Sequence, residues 1–454
     1  MTVHSTTHPT RKGRGRNMGH TIGDILIKGK GNKSHNKTDY PFKPITPSTI
    51  EDTGLKQVFI EDLICKILLY HSSLSGVQLS RIICLPMHIL EPIVYELKQR
   101  LILSYKSLAG INDFHYVLTE SGNKKAILAR EFTNYQGPAP VTYKQYINSV
   151  ERQSLKNENP TYDYLTHAFK GLELSSDLYN MIGPAINSGR GMFIYGKPGN
   201  GKTEIGIRLS KCFKEHIYIP QSILIDGQLI QLYDPQCHHK IDDDSNISEH
   251  DPRWLKIERP SVVVGGEMDL ESLEIGYNPH TKICEGPLQM KGNNGILLID
   301  DFGRQRVSPE QILNRWILPL EKNIDYLTLP NGTKIKVPFN ALLVFCSNLD
   351  PTNILDEALL RRIPYKIFMD GPDNDAFLRI FQYNAKKMSI SYDPECVDYL
   401  IKNHFQGTRP MRGCHPRDIL QQLKNIARFE GNEPCMTTEG VDRAAQLYFS
   451  TTGT

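Results

Sequence analysis

At 454 residues, 39% apolar and 23% charged, the chain has room for two or three folded units and the composition of an ordinary soluble protein. A net charge of +3 is too small to imply a nucleic-acid partner by itself, and nine scattered cysteines without a Cys-x-x-Cys pair exclude a disulfide framework and favour a reducing cytoplasm. No apolar run approaches the ~18 residues of a membrane span, and the basic N-terminus lacks the apolar core of a signal peptide, so no membrane insertion is expected.

Residues 1–44 carry nine Lys or Arg against Asp24 and Asp39. Charge interleaved with glycine, as in Arg11-Lys12-Gly13-Arg14-Gly15-Arg16, builds no core. The segment reads as a disordered basic tail, or more sharply as an arm for phosphate or an acidic partner.

From 45 to 132 the composition turns globular. Leu63, Ile64, Ile67 and Leu68 are spaced for a helix over Phe59–Tyr70, a second short helix opens at Gly76, and a third follows Pro86 through Ile89, Ile93, Val94 and Leu97. Leu101–Tyr105 and Tyr116–Thr119 alternate like a hairpin. Three helices and a hairpin resemble a winged helix, a small α+β domain. Its third helix begins with Met87, His88 and Glu91 and no cation, and residues 50–132 hold nine acids and nine Lys or Arg. Protein docking is therefore as well supported as DNA reading. Residues 133–165, with Gly137-Pro138-Ala139-Pro140, read as a linker.

Gly196-Lys197-Pro198-Gly199-Asn200-Gly201-Lys202-Thr203 matches G-x-x-x-x-G-K-[ST]. The apolar run Met192–Tyr195 before it predicts a buried strand, and Ile205, Leu209 and Phe213 predict a helix from Thr203 to Phe213. A glycine loop between strand and helix aims backbone N–H groups and a helix dipole at an anion. Gly196, Pro198, Gly199, Asn200, Gly201, Lys202, Thr203 and Glu204 are the candidate nucleotide-binding residues, with Lys202 for the terminal phosphates and the Thr203 hydroxyl for Mg²⁺.

Ile296-Leu297-Leu298-Ile299-Asp300-Asp301 supplies the second strand that such a loop needs, with Asp300 as the metal-side acid and Asp301 where a base or water-orienting carboxylate belongs. A further apolar strand, Ala341–Ser347, ends at Asn348, an amide suited to orienting water. Arg361 and Arg362 close Leu355-Asp356-Glu357-Ala358-Leu359-Leu360 and suit an arginine finger acting on a neighbouring subunit.

That order of motifs resembles the AAA+ ATPase family over residues 165–454. The resemblance makes Gly196–Thr203 the Walker A loop, Ile296–Asp301 Walker B, Asn348 sensor 1, and Arg417, in Gly413-Cys414-His415-Pro416-Arg417-Asp418, the sensor 2 arginine of a C-terminal lid. It implies an α/β fold: a three-layer parallel-sheet core at 166–369 and a helical lid at 370–454, preceded by the winged-helix-like domain. It also implies ATP and Mg²⁺ as ligands, Asp301, Asn348, Arg361 and Arg362 in catalysis, and a homo-oligomeric ring, a hexamer, that remodels a protein or nucleoprotein partner. A DNA-associated ATPase and a non-hydrolysing ATP-bound scaffold are the alternatives.

Two features depart from the family pattern. Walker B usually ends Asp-Glu, and Asp301 is one methylene shorter, so slow hydrolysis is expected. Roughly eighty residues also separate the phosphate-loop helix from Walker B. Within them, Cys237-His238-His239 lacks a partner pair at zinc spacing and reads as loop, while Leu273–Tyr277 and Ile283–Pro287 read as a hairpin for substrate contact in a pore. A second hairpin, Tyr326–Leu329 and Lys334–Val337 around Asn331-Gly332, resembles one found before sensor 1 in several AAA+ clades. Arg304, Arg306 and Arg315 fall near the catalytic acids.

Overall fold

The computed structural model describes residues 42–110, 113–241, 250–407 and 409–449; the basic tail up to residue 41 lies outside them. The fold is mixed α/β. Five strands form the central sheet: β1 (Met192–Tyr195), β2 (Ser261–Val264), β3 (Ile296–Ile299), β4 (Leu342–Ser347) and β5 (Tyr365–Phe368). Their spatial order is β2-β3-β4-β1-β5, and every neighbouring pair is parallel.

The pleat sorts these apolar runs into two cores. Met192, Ile194, Ile296, Leu298, Leu342 and Val344 face one side, packed with Ile182 and Ile186 of the helix Ser176–Ser188 and with Ile205 and Leu209. Phe193, Leu297, Ile299, Leu343 and Phe345 face the other, packed with Ile312, Leu313 and Trp316. Both faces are covered, so the strands are apolar throughout rather than alternating. The order reverses around β1, whose neighbours β4 and β5 lie on opposite sides, and such a switch point leaves a crevice beyond the strands' carboxyl ends. The helix after β1 is shorter than its spacing predicts. It runs over Lys202–Arg208 and tightens into a 3₁₀ turn over Leu209–Cys212, which keeps Leu209 and Phe213 on the same core.

Ahead of this sheet, the helices Gln57–His71, Gly76–Ile83 and Met87–Gln99 pack with an antiparallel sheet ordered Leu74–Ser75, Asp113–Leu118, Leu103–Gly110. Ser75 and Gln78 form a capping box that starts the second helix. A fourth helix, Glu120–Phe132, which the sequence reading did not anticipate, follows the hairpin. Thr119 caps it, and Gly122 lies so close to the chain that a Cβ there would sit 2.1 Å from the Ile102 carbonyl oxygen. Among the described residues no single helix is long and apolar enough to cross a membrane. One bent pair, Gly76–Ile83 with Met87–Gln99, passes by length and composition, but its Leu79, Ile83, Leu90 and Ile93 are core residues of this module.

The stretch read as a linker contributes a strand, Val141–Thr142, and a helix, Tyr143–Arg152, whose Tyr146 and Val150 are buried. The strand edges a second five-stranded sheet, ordered Gly276–Asn278, Ile283–Glu285, Gln228–Gln231, Ser222–Ile225, Val141–Thr142. The described parts of the long segment before β3 are thus folded. Its hairpin Gly276–Glu285 does form, but it is tied to the end of the N-terminal module and the residues just after it: Lys282 Nζ donates to the Glu131 carbonyl, and the Asn134 N–H and Nδ2 donate to the carbonyls of Thr281 and His280, both at 2.9 Å. The hairpin Ile324–Thr328 with Lys334–Pro338 buries Leu327, Ile335 and Val337 against Tyr146 and Trp254.

One buried ion pair joins these parts. Arg253, 1% exposed, holds Asp251 at 2.8 Å, and its Nη1 donates to the carbonyls of Thr53 and Pro140, both at 3.3 Å. The C-terminal helices Asn374–Lys387, Pro394–Leu400, His415–Glu430 and Thr438–Phe449 close around a core of their own, with Phe377, Phe381, Leu400, Leu420 and Ala444.

Candidate active site

The phosphate-loop sequence begins as β1 ends. Gly196 has φ +144°, and a Cβ on it would stand 2.1 Å from the Met369 carbonyl oxygen, so no other residue fits there. Gly199 and Gly201 have φ of +85° and +90°, and Gly201 is the N-cap of Lys202–Arg208. Three left-handed glycines in six residues bend the loop back on itself ahead of a helix N-terminus.

Lys202 is 7% exposed and fully engaged. Its ammonium donates to the carbonyls of Gly196 and Lys197, both at 2.9 Å, and to Asn348 Oδ1 at 2.8 Å. Burial lowers its pKa from the usual lysine range, opposed by the nearby carboxyls of Asp300 and Asp301. The other end of the Asn348 amide donates from Nδ2 to Asp301 Oδ1 at 3.0 Å. Asn348 therefore bridges the loop lysine and the second carboxylate, and it can do so because β4 lies between β1 and β3.

The Thr203 hydroxyl meets both oxygens of Asp300, at 3.1 and 2.9 Å. The Asp301 N–H donates to Asp300 Oδ1 at 3.0 Å. Asp301 has φ +48°, a left-handed conformation that turns its carboxylate out of the strand direction. Gln305, which the motifs did not single out, props this turn: its Nε2 donates to the Asp300 carbonyl and its Oε1 accepts from the Gly303 N–H.

A cleft of about 410 Å³ opens beside the loop, lined among others by Gly199, Gly201, Glu204, Tyr383, Cys414 and Arg417. Arg417 pairs with its neighbour Asp418 at 2.8 Å, and Glu204 pairs with Arg208 at 2.6 Å. Pro198 is exposed on the loop. Arg361 and Arg362 do not line this cleft. They line another cavity, of about 580 Å³, with Lys156 and Arg190. Arg362 is held there by Glu321 and the Ala358 carbonyl. Arg315 is committed to Asp325 and Glu274, which gives it a structural use, whereas Arg304 and Arg306 are exposed.

The donor set fits a nucleotide with Mg²⁺. Asn200 Nδ2, on the loop and at the lining of the cleft, is buried and lacks an acceptor of the kind an anion would provide. The Thr203 hydroxyl and Asp300 carboxylate are hard oxygen ligands, and Mg²⁺ takes one or two such groups with phosphate and water. Among the described residues no cluster of three or more His, Cys, Asp or Glu could hold a metal alone. His238 is occupied at both ring nitrogens, with the Asp234 N–H and the Lys291 carbonyl, as a structural histidine is.

A domain of unknown function (DUF8689) matches residues 373–447, the four C-terminal helices. No curated protein matches the chain. Among solved structures, NtrX from Brucella abortus is similar at 13% identity and a TM-score of 0.38, over 60% of this chain and 55% of that one. The chain thus spans just over half the length of that relative. Two point mutants of RuvB from Thermotoga maritima are similar at 10% and 11% identity, with TM-scores of 0.36 and 0.34, over 61% and 65% of this chain and 70% and 72% of theirs. At these scores nothing about those proteins transfers to this chain.

Proposed function

We propose that the chain is a Mg²⁺-dependent ATPase of the AAA+ kind. The observation that carries this reading is the Lys202–Asn348–Asp301 bridge beside the Thr203–Asp300 pair, at the carboxyl ends of three adjacent parallel strands. In it, Lys202 and the loop N–H groups bind the phosphates. Thr203 and Asp300 would hold Mg²⁺, which neutralises phosphate charge when bound. Asp301 takes a proton from the attacking water as its oxygen joins the terminal phosphorus and the bond to ADP breaks. Asn348 fixes the direction of that carboxylate, and Arg417 approaches from the C-terminal helices as a lid.

Arg361 and Arg362 face a cavity other than the chain's own cleft, which favours a role on the nucleotide of a neighbour in a homo-oligomeric ring, a hexamer by family resemblance. Residues 45–132 act as a winged-helix module for a protein or nucleoprotein partner. Protein docking is favoured over DNA, because His88, at the start of the third helix, is already engaged with the Ser48 carbonyl, and Lys98 lies over the Tyr105 ring.

Phosphate release by the purified chain tests this. Wild type should turn over ATP only with Mg²⁺, Asp301→Asn should bind ATP without turnover, and Lys202→Ala should bind poorly. A folded, assembled wild type that binds ATP yet is as inactive as Asp301→Asn would leave the scaffold reading instead.

A further inference from the structure

A cavity of about 460 Å³ lies between the helix Tyr143–Arg152 and the hairpin Ile324–Pro338. Phe339 and Asn340, among its lining, stand just before β4, at the opposite end of that strand from Asn348. The cavity is therefore apart from the nucleotide cleft, and its use does not depend on nucleotide binding.

Helix and hairpin are tied together around it. The Tyr143 hydroxyl donates to the Lys336 carbonyl, and Ser154 Oγ donates to Asn340 Oδ1 at 3.0 Å. Tyr143, Ile147 and Glu151 follow at i, i+4 and i+8 along the helix and turn one stripe to the cavity. Ile147 from this stripe and Ile324 from the hairpin are half-buried, yet neither packs into any of the hydrophobic cores of the described residues. Both line the cavity instead, with Val337, Pro338 and Phe339.

The charges around these apolar walls are one-sided. Lys156, Lys322 and Lys336 line the cavity, and among the described residues Glu151 is the only acid that does. None of the three ammonium groups is in an ion pair with a described residue. Lys156 is also seated, because a Cβ on Gly189 would stand 3.2 Å from its Cγ and its Cε. Burial, and then the charge of Arg190, lower its pKa from the usual lysine range, so it has a cation for a neighbour and no anion.

We propose that this cavity binds an amphipathic anion: an acyl or aryl body between Ile147, Ile324 and Phe339, with its anionic head on Lys156, Lys322 and Lys336. Lysines act as point charges and impose no planar fork, so carboxylate and phosphate heads both qualify.

Calorimetric titration of the full chain with octanoate, octyl phosphate and octanol tests it, since these share one apolar body and differ in the head. At least one anion should bind at a single site about tenfold or more tighter than octanol, the worth of one charge-assisted hydrogen bond. The tighter of the two names the head. Lys156→Gln combined with Lys336→Gln should remove that advantage and leave octanol unchanged, whereas Ile147→Ala should weaken anion and octanol alike; urea unfolding shows that each variant is folded. Octanol binding as tightly as both anions overturns the proposal. So does the absence of binding heat from either anion at millimolar concentration, unchanged anion affinity in the double lysine variant, or Ile147→Ala without effect.

Discussion

Replacing Asn348 with Leu, close in size and unable to hydrogen-bond, separates the bridge from the loop. Two bonds disappear: the 2.8 Å acceptor of Lys202 and the 3.0 Å donor to Asp301. They are unequal. Asp301 is exposed, so water replaces its lost partner and the cost is one of direction. Lys202 is 7% exposed, and a buried N–H of a charged group without an acceptor costs on the order of 1.5–3 kcal/mol. Bound phosphate supplies an acceptor, so this cost falls on the nucleotide-free protein and ATP binding should hold or tighten slightly. Misdirection of Asp301 acts at the transition state. If one charge-assisted bond of about 1.5–3 kcal/mol is lost there, kcat falls roughly ten- to hundred-fold. Steady-state turnover with direct ATP titration would separate the two. A kcat within about twofold of wild type, or a loss confined to KM, would refute the role given to the bridge.

Gly196→Ala should abolish ATP binding, because its Cβ would lie 2.1 Å from a backbone oxygen at Met369; unperturbed affinity by titration would refute the need for glycine there. Mixing Arg361→Ala with Asp301→Asn, each inactive alone, should restore part of the ATPase rate if one subunit's arginine serves another's acid, and no recovery in mixed assemblies counts against that. His415 has its pKa pushed down to about 4 from 6.5, by burial first and by Arg412 second. The unfolded chain therefore binds the extra proton first, and stability is full above pH 6.5 and falls as pH drops towards 4, by roughly 2–3 kcal/mol. Urea unfolding at pH 7 and 4.5 should show this slope in wild type and a shallower one in His415→Gln; equal slopes would refute it. Phe345→Ala, emptying a site between Phe193 and Phe302, should cost about 3–5 kcal/mol by the same assay.

The strands that carry the site were legible because they are buried on both faces: Met192–Tyr195, Ile296–Ile299 and the run ending at Ser347 stand out as apolar segments closed by polar residues. Pairing order was not legible, since parallel neighbours come from distant segments and no local signal orders them. Glu120–Phe132 was missed because Asn123, Lys124 and Lys125 fill its first turns and only Gly122, Ala126 and Ala129 are buried. Of the second sheet only the hairpin Gly276–Glu285 was legible, and the rest was missed for a different reason. Its strands are two to four residues long, too short for a period to show, and the parallel pairing of Val141–Thr142 joins positions about eighty residues apart.

Arg253 has a mechanical meaning. Its one guanidinium is shared among Asp251 and the backbone at Thr53 and Pro140, so three distant stretches of chain are riveted at a dry point. A rivet of that kind stiffens the N-terminal module into a lever. Thr53 lies in that module and Pro140 directly precedes Val141–Thr142, the edge strand of the second sheet, so a displacement of either carbonyl is shared through Arg253 rather than taken up in a slack tether.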